Sequence, residues 1–165
     1  RAREMAKRAG LHNITFVESS LQQFPPNHGF DLVTSFLTAH EVGSLTKLHE
    51  IFDDETDLDE FARINLEKYQ SDYGQFIGDL LNDQGSIFSL ERLGDMAEQC
   101  AWIGGLRNSG VFIDLEQSTF VYPYQAAWGH RERLPVFVGS RQETDLSMEN
   151  FENWYNRHPF GNDVE

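Results

Sequence analysis

The adjacent pair His40 and Glu41 offers the most direct chemistry in the sequence. An imidazole titrates near neutrality and can take a proton from an attacking oxygen or nitrogen, while a neighbouring carboxylate can help to position the nucleophile. A histidine there also suits the cap of a following helix, so both roles stand. Glu91 and Arg92 form a second charged pair, able to contact a ligand or each other. Cys100 is the single thiol; it follows Gln99 on the apolar side of a helical pattern, which reads as core packing. One cysteine makes no internal disulfide, and no Cys/His cluster has zinc spacing, so we expect no metal centre and a reducing compartment, the cytoplasm. The segment from Glu50 to Glu60 holds seven carboxylates. A calcium loop begun at Asp53 would need Gly and Glu where Leu58 and Ile64 stand, so this run reads as a solvated face.

The whole chain narrows the choice of partners. It has 165 residues, with 13 Lys and Arg against 27 Asp and Glu, for a net charge of −14. So negative a molecule repels phosphate backbones, and no basic stripe interleaved with aromatics offsets this; nucleic acid is not an expected ligand. Apolar runs are far shorter than the roughly 18 residues that a bilayer span requires, so no membrane partner is expected either. The length suits one domain or part of one. Arg1 falls inside a helical pattern, which reads as a piece of a longer chain.

Several elements must position these residues. RAREMAKRA at 1–9 is a helix former, stopped by Gly10 and followed by the apolar Leu11. Ile14–Val17 and Phe30–Leu37 read as strands separated by the FPPNHG loop. Residues 45–81 carry helical spacing, enough for two or three helices, and a turn at NDQG leads to a third strand, Ser86–Leu90. Another helix covers 93–108. Val111–Tyr122 and Leu134–Ser140 have no helix between them and so form a hairpin, giving an antiparallel member at the sheet edge. Tyr122, Tyr124, Trp128 and His130 crowd that hairpin, where they either pack it or wall a pocket. Ser147 caps a last helix carrying Phe151, Trp154 and Tyr155. Strands alternating with helices predict an α/β fold with a mostly parallel sheet.

In order and spacing, Ala-Gly-Leu, HNITFVESSLQQFP, FDLVTSFLTAHEV and LLNDQGSIFSLER resemble the central and C-terminal portion of class I S-adenosylmethionine-dependent methyltransferases, over roughly residues 3–140. The resemblance implies a Rossmann-like three-layer sandwich, with an antiparallel C-terminal hairpin, that is N-terminally truncated. The family's glycine-rich loop and its ribose-binding acid have no counterpart in these residues. On this view 1–141 is the C-terminal part of the methyltransferase-like domain, 45–75 a helical insertion or lid, and 142–165 a tail helix.

The resemblance also assigns roles. S-adenosylmethionine is the implied cofactor. The family places an acid about five residues before the proline, which here falls on Ser20, flanked by Ser19 and Leu21, with Glu18 a nearby substitute. Ser35 and Phe36, at the end of the family's fourth strand, would face the cofactor cleft, since ligands of open α/β sheets collect at strand carboxyl ends. His40 and Glu41 follow as the catalytic candidates. Thr-Ser-Phe-Leu stands where enzymes that methylate amino groups of bases or glutamine carry an Asn/Asp-Pro-Pro-aromatic motif, which argues against those acceptors; the acceptor expected here is a small molecule. The expected activity is methyl transfer by a longer chain, with the 165 residues inactive alone. A second copy is a further expected partner, through the exposed sheet edge or the tail helix. The alternatives are a non-catalytic interaction or assembly module derived from the family, and a nucleotide-dependent oxidoreductase of the same layout.

Overall fold

A computed structural model describes residues 1–17, 29–36, 58–93, 95–125 and 130–158. Helix α1 (Ala2–Arg8) ends as its sequence predicts. Gly10 takes a φ of +70°, open to glycine at little cost. Its N–H reaches Lys7 O at 3.1 Å while Leu11 N–H reaches Ala6 O at 3.0 Å, closing a Schellman cap.

Strands β1 (Phe30–Phe36) and β2 (Leu81–Leu90) pair in parallel, joined through α2 (Leu58–Asp79). Helix α3 (Met96–Asn108) follows, its first turn capped by the Asp95 side chain accepting from Glu98 N–H. Within the described part of 45–81, residues 58–79 form one unbroken helix, and Leu81, expected to belong to it, opens β2. Helices α2 and α3 touch at glycines: a Cβ on Gly105 would sit 2.0 Å from Ser71 O, and one on Gly74 would sit 2.5 Å from Trp102 O.

Next come β3 (Phe112–Ile113), β4 (Thr119–Val121), the small ribbon of β5 (Tyr124–Gln125) with β6 (His130–Arg131), and β7 (Leu134–Ser140). The main sheet has the order β1-β2-β7-β3, with β4 also on β7. Strand β7 is antiparallel to both β2 and β3. The antiparallel member is therefore inserted within the sheet, a correction to its expected place at the edge. Helix α4 (Met148–Asn156) starts at Ser147, whose side chain accepts from Asn150 N–H. It joins the body through Phe151 and Trp154, the indole lying 4.6 Å from the Phe120 ring and 5.8 Å from Phe137.

Three further expectations are corrected. Ile14–Val17 forms no strand; Ile14 and Val17 stay exposed, since strand backbone needs a neighbour and no described strand pairs with it. Residues 82–85 lie inside β2, bulging where Phe30↔Leu81 gives way to Leu32↔Ser86. Asn82 holds this bulge, accepting from Gln84 N–H at 2.9 Å and donating to Asp31 at 2.6 Å. The run 111–122 splits into β3 and β4 because Asp114 accepts from the N–H groups of Glu116 and Gln117, and Ser118 Oγ takes over the Val138 N–H. Val33, Ile87, Phe137, Trp102 and Trp154 share one core under α2, α3 and α4. On the opposite face of β1 and β2, Leu32 and Phe36 stay more than half exposed.

Candidate functional site

Strand alternation decides where the end of β1 points its side chains. Val33 and Ser35 turn beneath the helices; Thr34 and Phe36 turn outward. Ser35 is 3% exposed and donates its hydroxyl to Glu91, one residue beyond β2. Its Oγ also lies 3.3 Å from the hydroxyl of Tyr73 on α2. Three elements are thus braced at the carboxyl ends of the two parallel strands, where an open α/β sheet gathers ligands.

More polar atoms occupy this layer. Ser89 pairs in register with Ser35, and Gln70 stands one turn before Tyr73 on the same helix face. Both residues are fully buried, and among the described residues neither Ser89 Oγ nor the two amide atoms of Gln70 has a hydrogen-bond partner. Trp102 Nε1 is likewise without one, its ring 5.3 Å from Tyr73. A buried unsatisfied polar atom costs about 1–3 kcal/mol, so packing alone would favour apolar side chains at these positions. Gln70, Tyr73 and Ser89 escaped the sequence reading. The available signal was a polar residue on each buried face: Ser89 alternating with Ile87, and Gln70 three before Tyr73.

Of the predicted site residues, Ser35 and Phe36 are described; Glu18, Ser19, Ser20, Leu21, His40 and Glu41 lie outside the described residues. Phe36 is 52% exposed, with its ring 5.9 Å from that of Phe88. Ser35 and Phe36 therefore face opposite sides of the sheet. Arg92 turns to Glu132, its Nε 2.5 Å from the carboxylate. Trp128 lies outside the described residues. Cys100 is half-buried on α3, its thiol pushed up by burial and then by the Glu152 and Asp95 carboxylates, which makes it a poor nucleophile. A cleft of about 530 Å³ between α4 and the turn after β3, lined by Asp114, Asp145 and Arg157 among others, shares no residue with the polar layer. No described helix is long and apolar enough to cross a membrane.

No protein-family model and no curated protein matches the sequence. Among solved structures, the chain is similar to a Thermoplasma acidophilum protein provisionally assigned as a methyltransferase, with a TM-score of 0.50 and 8% identity. The match covers 86% of this chain and 53% of that one, so the chain spans about half its length. What the two share is a fold.

Proposed function

We propose that the chain takes part in S-adenosylmethionine-dependent methyl transfer to a small-molecule acceptor, as part of a longer cytoplasmic polypeptide. The observation that supports this reading most is the sheet: two parallel strands, then an antiparallel strand inserted before the next, in a fold shared with the Thermoplasma protein. The polar layer at the carboxyl ends of β1 and β2 supports it further. The end of β1 also fits the cofactor chemically. A purine needs an apolar wall, and Phe36 offers an exposed ring there. Glu18, Ser19, Ser20 and Leu21 are the proposed partners of the adenine.

When bound, the cofactor supplies an electrophilic methyl group on a sulfonium. The protein then has to align the acceptor, exclude water and receive a proton. In this scheme His40 receives the acceptor's proton and Glu41 positions the acceptor, while the Ser35–Glu91 brace fixes the strand end.

The test is methyl transfer to a metabolite panel by the polypeptide as its gene encodes it. His40→Ala should lower turnover at least about tenfold with little change in cofactor affinity. An unchanged rate would make His40 a helix cap.

One observation favours a second reading, an assembly module. Leu32, Phe36 and Phe88 expose an apolar face on β1 and β2, the end of the sheet that the sequence reading offers to a second copy. This reading predicts self-association without cofactor binding.

A further inference from the structure

We propose that Glu91 is a positioning residue for the cofactor, acting through Ser35 on the end of β1; the inference rests on the methyltransferase reading above. The parallel ladder between β1 and β2 ends with Thr34↔Phe88, Ser35↔Ser89 and Phe36↔Leu90. Glu91 stands one residue past the ladder and reaches back to the hydroxyl of Ser35. Glu91 is fully buried, and Ser35 and Tyr73 nearly so, which places a hydrogen bond to a carboxyl oxygen in a low-dielectric layer, where it is stronger than in water. Tyr73 adds a hydroxyl 3.3 Å away and carries the brace into α2.

The brace bears directly on Phe36. Because neighbouring side chains alternate across a strand, fixing Ser35 inward fixes Phe36 outward, in the orientation proposed to meet the purine. Loss of the brace should free the last residues of β1 while leaving the inserted strand β7 untouched. A side chain that merely supported the core would instead loosen the sheet as a whole.

The experiment uses Glu91→Gln, Ser35→Ala and the double variant in the polypeptide as encoded. Titration with S-adenosylhomocysteine gives affinity, and amide hydrogen exchange is followed at residues 34–36 and 134–140. Glu91→Gln keeps the shape and one acceptor oxygen but replaces the other carboxyl oxygen with an amide nitrogen. Each single variant should raise the dissociation constant about tenfold, and the double variant no further than the worse single. Exchange should quicken at 34–36 alone. Unchanged affinity, fully additive effects or an even rise in exchange that includes β7 would each overturn the proposal. If the unaltered polypeptide binds no S-adenosylhomocysteine, the methyltransferase reading falls and the cofactor role of Glu91 falls with it. The exchange data then still show whether Glu91 holds the end of β1.

Discussion

Cys100 and Tyr155 show how burial tunes single groups. Burial is the main cause that raises both, from ordinary values of 9.0 for the thiol and 10.0 for the phenol. For Tyr155 it outweighs the Arg133 guanidinium, which lies 3.9 Å over the ring and pulls the other way. Each group stays neutral longer in the fold than in the unfolded chain. The stability they contribute is therefore complete below the ordinary values and declines as pH rises through the raised ones. Urea-unfolding midpoints should fall as pH rises above about 9, with Cys100→Ser flattening the onset of that fall. A midpoint that rises with alkali would contradict this account. At this scale the sequence was informative where one residue type implied one environment. Cys100 beside Gln99 on an apolar helical face reads as packing, and the structure half-buries it there. The brace was not legible. Glu91 looked like a partner for Arg92, and only the fold brings it to Ser35, 56 residues away in sequence.

Among elements, the α2–α3 crossing carries the most pointed prediction. Gly105→Ala would drive a methyl group into the Ser71 carbonyl, whereas a Cβ on Gly104 meets nothing within 4 Å. Gly105→Ala should cost about 1–3 kcal/mol or more from overpacking, and Gly104→Ala should gain about 0.5–1 kcal/mol as a helix-interior replacement. Chemical denaturation of both variants checks this; equal effects would mean that the helices do not meet at Gly105. Elements with a local signal were legible: the Gly10 cap, β1, the later part of the 45–81 helix, α3, and α4 with its Ser147 cap. Those that depend on distant neighbours were not. Ile14–Val17 has the right residues for a strand, yet no described strand lies beside it. The break between β3 and β4 was hidden because Asp114 and Ser118 replace ladder hydrogen bonds with side-chain ones. Arg141 was equally hidden, although its guanidinium donates to the carbonyls of Gly78, Leu81 and Ser109 and ties α2, β2 and the end of α3 together.

For the molecule as a whole, the pattern of strands and helices was enough to foresee a mixed α/β fold with a C-terminal antiparallel pair. One face of β1 and β2 stays exposed at Leu32, Phe36 and Phe88; the family resemblance points to such a face at this end of the sheet, whereas apolar spacing tells only which side of a strand is greasy, without telling what covers it. That open face and the polar layer behind it meet at the end of β1, where Phe36 and Ser35 stand back to back. The central claim is that this strand end belongs to a cofactor site. Its most direct test is calorimetric titration of S-adenosylhomocysteine into the polypeptide as its gene encodes it, beside residues 1–165 alone. The account predicts micromolar binding by the former and none of comparable strength by the latter. No binding by the encoded polypeptide up to about 1 mM ligand would contradict it.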